Sequence, residues 1–364
     1  MKGIALQKNK NQSKLGMVEA LRTCVAVGFS LLLVCVVVFL ISETPVPALF
    51  DFLIGPLTSP RRMGNVVEAC VPLMFTGLSV ILLQRAGLFN LAMEGAFFIG
   101  AVAATATALT FQLPDTLNLI VSLGAACVAG AIVCGIPAFL KVKCNANVLV
   151  TSLMLNYVCL YFGMWIIVDF FADPAMSSNY SYAFPEGILL TKLIPRTRIN
   201  TGILICAVCI FLVWLLLNKT SFGYKVTMVG KNERMARYSG MNIDRLITGS
   251  ALIGGVLAGL GGGVDLFGMY PRFQYGGLTN YGWDGILIAI VARHKAQYVP
   301  FAALFLAYMR TGADIMSRNN DIPSEMIMVI QAIVIVLISA QAILSKYRSR
   351  IIVQEAREYE QEVQ

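Results

Sequence analysis

Nine separate stretches of 14 to 25 residues, among them 23–42, 116–140 and 144–168, contain no Asp, Glu, Lys or Arg. About 20 apolar residues cross the hydrocarbon core of a bilayer. The whole chain of 364 residues is 57% hydrophobic and 13% charged, whereas soluble domains carry roughly 25% charge. That leaves too little polar surface to cover a body in water. A soluble enzyme, a secreted disulfide scaffold and a disordered chain are excluded. The expected fold class is all-α, a polytopic helical membrane protein.

Spans are expected near 22–42, 65–84, 87–109, 117–140, 147–170, 199–217, 246–267, 283–293, 297–313 and 324–345, about ten in all, some of them broken. Residues 1–21 form an N-terminal tail, 22–345 the transmembrane domain, and 346–364 a C-terminal tail, with a long loop at 218–245. Placing both termini in the cytoplasm puts 20 of the 28 Lys and Arg residues on the inner side, as the positive-inside rule asks. The net charge of +8 therefore reflects topology, and no basic face with interleaved aromatics points to nucleic acid. The basic start (Lys2, Lys8, Lys10, Lys14) resembles a signal peptide. Its apolar run is too long for an h-region and no A-x-A site follows, so it reads as a retained first helix.

The stretch 283–293 is too short, rising about 16 Å at 1.5 Å per residue. Gly276, Gly277, Gly282 and Gly285 precede or open it. Such half-spans are how transporters expose backbone to a solute. Gly255, Gly259 and Gly263 recur every four residues in 246–267, a face that lets helices approach closely. The run Gly261–Gly263 would also permit unwinding near Asp265.

In the 218–245 loop, Asn232 is placed to cap a short helix with Glu233 in its first turn and Gly240 at its end. Met235 and Tyr238 share one face, Arg234 and Arg237 the next. So short a helix must dock on something. A cytoplasmic protein partner and an anionic lipid surface both fit.

Ionisable and amide groups at membrane depth are functional candidates by default. Asn90 and Glu94 fall one turn apart on the expected 87–109 helix, either on a translocation path or in a network at a break after Gly87. Asn156 is a pathway or inter-helix hydrogen-bonding candidate. Asp284 opens the half-span, where a carboxylate also suits a helix N-terminus. Arg310 and Asp314 can pair with each other. Tyr270, Phe273, Tyr275, Tyr281 and Trp283 read as interfacial-belt aromatics. The nine cysteines lie mostly in apolar segments, and with a single histidine (His294) no metal site is expected. No catalytic set is present. The GxxxxGK[ST] phosphate loop is absent too, since Gly230-Lys231 is followed by Asn232.

The series Arg85-Ala86-Gly87-Leu88-Phe89-Asn90-Leu91-Ala92-Met93-Glu94-Gly95, then Val229-Gly230-Lys231-Asn232 through Ala236-Arg237-Tyr238-Ser239-Gly240, resembles the permease subunits of bacterial ABC importers. Asp284-Gly285-Ile286, Arg310-Thr311-Gly312-Ala313-Asp314 and Pro323-Ser324-Glu325 extend the likeness over roughly residues 60–345. The match is to the simple-sugar and nucleoside branch, which is branched-chain-amino-acid-like. Ala96, where the family often has Gln, and the 292–297 loop depart from the pattern.

The resemblance implies a ten-helix permease in the inner membrane that moves a nucleoside or related purine by alternating access, with a simple sugar as the alternative. It implies an ATP-binding subunit that holds ATP and Mg, a second permease (a copy or a paralogue), and a solute-binding lipoprotein. This chain would then hold no cofactor and be no enzyme. Asn90, Glu94, Asn156 and Asp284 would line the path, and Asn232, Glu233, Met235, Arg237, Tyr238 and Gly240 would dock on the ATPase. An ion-coupled secondary transporter using Glu94 or Asp284 is the rival of a different class.

Overall fold

The computed structural model describes residues 44–111, 113–176, 180–195 and 197–320, with isolated positions at 36, 38, 39, 329 and 332. The expected spans at 22–42 and 324–345, and both tails, lie almost wholly outside these residues. Eleven helices are described: α1 Pro45–Leu53, α2 Pro60–Arg85, α3 Met93–Thr110, α4 Asp115–Cys144, α5 Val148–Ile166, α6 Gly202–Lys219, α7 Ser221–Lys231, α8 Glu233–Tyr238, α9 Ile243–Met269, α10 Tyr281–Val291 and α11 Val299–Asn319. A π-helical turn, Ile167–Phe171, prolongs α5. Six of these (α2, α3, α4, α5 with its π turn, α6 and α9) are long and apolar enough to cross a membrane. No strand occurs among the described residues, where extended chain pairs only in two isolated bridges.

Local chemistry sets the helix ends. Ser59 caps α2, accepting from the Arg62 amide at 3.3 Å, with Pro60 at the first helical position, where its fixed φ is already helical. Asn147, Thr220 and Asn242 cap α5, α7 and α9 in the same way. Asn145 ends α4 in the left-handed conformation. Pro72 sits inside α2, and the Thr76 hydroxyl donates to the Pro72 and Leu73 carbonyls.

The chain divides into two compact units, residues 59–308 and residues 1–58 with 309–364. In the smaller unit, Asn319 and Asn320 donate to the Asp51 carboxylate at 3.1 and 3.0 Å. Asp314 pairs with Arg318 one turn on, at 3.1 Å.

In the larger unit α9 is the axis, packed on α2, α3 and α4. A Cβ added at Gly255 would meet the Gly130 carbonyl, one at Gly259 the Ala126 carbonyl, and one at Gly263 the Leu123 and Ala126 side chains. On the α3 side, a Cβ at Gly100 would stand 2.6 Å from the Gly259 Cα. These backbones touch as the four-residue repeat predicts. The Gly261–Gly263 run does not unwind: α9 stays helical to Met269, because Phe75 lies over Gly261 and Phe97 over Gly262.

The segment after α9 differs from the interfacial belt that its aromatics suggest. Phe273 is fully buried and Tyr275 nearly so. Ser181 donates its amide to the Phe273 carbonyl and accepts the Phe273 amide on its hydroxyl. The Phe273 ring lies 5.9 Å from Phe98 and 5.3 Å from Tyr275, edge to face. The loop folds back over the bundle end.

Backbone atoms cannot rotate away as a side chain can. Gly259→Ala is therefore expected to cost more than the 1–3 kcal/mol typical of overpacking. Gly124→Ala on the open face of α4, where nothing lies within 4 Å, is expected to be neutral or to stabilise by up to about 1 kcal/mol. Thermal melting of the two detergent-purified variants checks the contrast.

Candidate functional site

The helix expected to begin at Gly87 begins at Met93. Gly87 takes φ +73°, a conformation open to glycine at little cost. Its amide donates to the Gln84 carbonyl and the Leu88 amide to the Leu83 carbonyl. That pair of bonds closes α2 as a Schellman motif, and residues 88–92 run non-helical before α3. Asn90 and Glu94 therefore do not share a helix face.

Side chains satisfy the exposed backbone of this break. Asn90, 2% exposed, donates to the Cys134 carbonyl on α4 at 3.2 Å and accepts from the Ala92 amide at 2.9 Å. Ser152 on α5 accepts from the Leu91 amide at 3.1 Å. Asn156, one turn further along α5, donates to the Leu91 carbonyl and accepts from the Gly95 amide, at 3.0 and 2.9 Å. Non-helical backbone at membrane depth survives only where its polar groups are paired in this way.

Glu94 links the break to the half-span. Its carboxylate, 1% exposed, accepts from the Asn280 amide at 2.6 Å, from the Gly282 amide and from the Thr279 hydroxyl. Asn280 sits at φ +63°, which turns these donors toward the carboxylate. A Cβ on Gly282 would stand 2.6 Å from the Glu94 nitrogen. Glu94 thus occupies the first turn of α3 and receives the first amides of α10, so the positive ends of two helices face one carboxylate. Asp284 lies buried in the first turn of α10, within electrostatic range of Glu94. Asn90, Glu94 and Asn156 converge on residues 90–95, and Asp284 stands at the far end of the Glu94 link. Ser152 and Thr279 complete the network. Sequence reading passed over them, although Ser152 lies four residues before Asn156 in an otherwise apolar helix.

A second feature lies in the segment between α6 and α9. Asn232 caps α8, accepting from the Met235 amide at 3.0 Å. Gly240, at φ +75°, closes it with bonds from Gly240 to Arg237 and from Met241 to Ala236. Glu233 and Arg237 pair at 3.6 Å in the open. Ala236 is buried against the protein, while Met235 is 59% and Tyr238 92% exposed. Two apolar side chains therefore project from a rigidly capped turn.

The two features are joined. A Cβ at Gly230, near the end of α7, would meet the Arg85 carbonyl and the Gly87 nitrogen, and one at Gly87 would stand 3.1 Å from the Gly230 Cα. The Arg85 guanidinium donates twice to the His294 carbonyl beyond α10, at 3.2 and 3.1 Å.

Over residues 62–339 the chain matches the family described as "Branched-chain amino acid transport system / permease component". The glucose ABC transporter permease protein TsgB13 of Haloferax volcanii is 32% identical, over 84% of this chain and 83% of that protein. The guanosine ABC transporter permease protein NupP of Bacillus subtilis is 28% identical over 76% and 81%. The nucleoside ABC transporter permease protein NupB of Lactococcus lactis is 27% identical over 88% and 90%.

Glu94→Ala strips the acceptor from the buried Gly282 amide, the part-buried Asn280 amide and the Thr279 hydroxyl. At roughly 1.5–3 kcal/mol per bond to a charged group, it is expected to destabilise the fold by about 3 kcal/mol or more. Glu94→Gln, which keeps one acceptor, is expected to lose less. A melting curve of Glu94→Ala that overlays the parent's would show that the carboxylate does not hold α10.

Proposed function

This chain belongs to the family of branched-chain amino acid transport system permease components, and from that membership we propose that it imports a nucleoside or related purine. It is a multi-pass membrane protein and a permease subunit of the ABC type. On our reading it has ten spans with both termini in the cytoplasm, and it works in the cytoplasmic membrane. A separate subunit binds ATP and Mg, a second permease completes the pathway, and a lipoprotein delivers the solute. The guanosine and nucleoside permeases among its relatives support the purine reading. The 32% identity to a glucose permease supports a simple sugar as the second reading.

The observation that carries the mechanism is the Gly87–Gly230 contact between the α8 loop and the break. With Met235 and Tyr238 seated in a groove of the ATPase, nucleotide-driven movement of that subunit displaces α7 and α8. Gly230 bears directly on Gly87, so the displacement reaches the α2–α3 break. Through Glu94 it passes to α10. Asn90 and Asn156 hold the backbone of the same region and Asp284 lies buried beside Glu94; there we place the solute path. Movement of α3 against α10 then alternates access between the two sides.

Met235→Glu with Tyr238→Glu removes both apolar anchors. Each buried side chain of this size contributes roughly 1.5–3 kcal/mol, and 1.4 kcal/mol is a factor of ten in affinity. The ATPase is therefore expected to be lost in a detergent pull-down of the double variant. Retention at parental stoichiometry would argue for a lipid-docked loop. Radiolabelled guanosine and glucose, offered to proteoliposomes holding the full complex, decide between the two solutes, with ATP-dependent guanosine uptake the expected result.

A further inference from the structure

At the end of the larger unit opposite the α7–α8 loop, Glu68 is 5% exposed, and among the described residues neither of its carboxylate oxygens has a hydrogen-bond partner. A buried carboxylate without a partner is costly, and Glu94 shows how fully this fold can satisfy one. Asn65, three residues earlier on the same face of α2, has a buried Oδ1 that is equally unpartnered. Gly64, four residues before Glu68, packs on Thr197 and the Arg198 backbone. Across from this face runs the last part of α9. Phe75 lies against Gly261, and one turn beyond Gly261 stands Asp265, within electrostatic range of Glu68.

The surroundings are rich in acceptors. Asp265 takes a hydrogen bond from the Tyr275 hydroxyl. Tyr270, just beyond α9, has its hydroxyl pushed up to about 12 by burial and then by the Asp265 and Glu68 carboxylates. Arg198 and Lys192 lie within electrostatic range of Glu68, yet both are exposed and neither forms an ion pair with it among the described residues. Their charge works against a cationic occupant. No cluster of three metal-ligating side chains occurs among the described residues.

We propose that Glu68, with Asn65 beside it and Asp265 facing it, is a recognition site for the hydroxyl groups of a neutral, polyhydroxylated solute. An ionised carboxylate accepts through two oxygens and donates nothing, so it complements two adjacent hydroxyls, which ribose and hexose share. Glu68 stands two helical turns inside the end of α2, one turn deeper than Asn65. The inference rests on the importer reading above and names the part of the solute that is read there.

The test is ATP-dependent uptake of radiolabelled guanosine and glucose by proteoliposomes holding the full complex with parental permease, Glu68→Leu or Glu68→Gln. Assembly yield and melting temperature are measured on the same preparations. Glu68→Leu, which replaces an unpartnered buried carboxyl group by an apolar side chain of similar size, is expected to assemble normally and melt no lower than the parent. Its uptake is expected to fall at least tenfold, and that of Glu68→Gln by less. Parental uptake within twofold in Glu68→Leu, or failure of both variants to assemble, would overturn the assignment. If the parental complex takes up neither solute with ATP, the importer reading fails as well, and that result is seen without any variant.

Discussion

Glu94 makes the half-span possible. A helix as short as α10 presents unpaired amides in the interior of a membrane protein, where water is not at hand to satisfy them. The Glu94 carboxylate takes the amides of Asn280 and Gly282 together with the Thr279 hydroxyl. The same carboxylate sits in the first turn of α3, so it faces the amide ends of two helices. The break before α3 then needs partners of its own: Ser152 and Asn156 supply them from α5, and Asn90, within the break, ties it to the Cys134 carbonyl of α4.

These hydrogen bonds demand that helices come within reach of one another, and glycine allows it. Along α9, Gly255 and Gly259 lie against the carbonyls of Gly130 and Ala126 on α4. In lipid there is no hydrophobic drive between helices, so close backbone contact and side-chain hydrogen bonds hold the bundle. The Ser79 hydroxyl, donating to the Gly254 carbonyl at 2.7 Å, is one such bond made possible by the narrow gap. At Gly87 and Gly230 the same device brings α7 against the break before α3.

The contrast between Glu94 and Glu68 sharpens the functional reading. Both are buried carboxylates on helices that pack around α9. One has three protein donors and explains the architecture; the other has none. Folding alone does not account for the second, because an apolar residue there would be easier to bury. A group that the fold leaves unsatisfied is better matched to a solute than one already engaged.

The sequence by itself determined the membrane class, six of the helical spans, the α9 glycine face and the cap residues of α8, because these follow from local composition and spacing. Asn232 and Gly240 mark their helix ends whatever surrounds them. The short α10 was legible as an 11-residue run, 283–293, found two residues earlier at Tyr281–Val291. Sequence also drew attention to Asn90, Glu94, Asn156 and Asp284, since amides and carboxylates are rare in such segments. Only the tertiary structure decided where α3 begins, which groups those side chains hold, and that Phe273 and Tyr275 turn inward. It alone set Glu68 apart from Glu94. Local spacing does not encode whether a partner amide arrives from a helix nearly 190 residues away, and that arrival is what separates a satisfied carboxylate from a bare one.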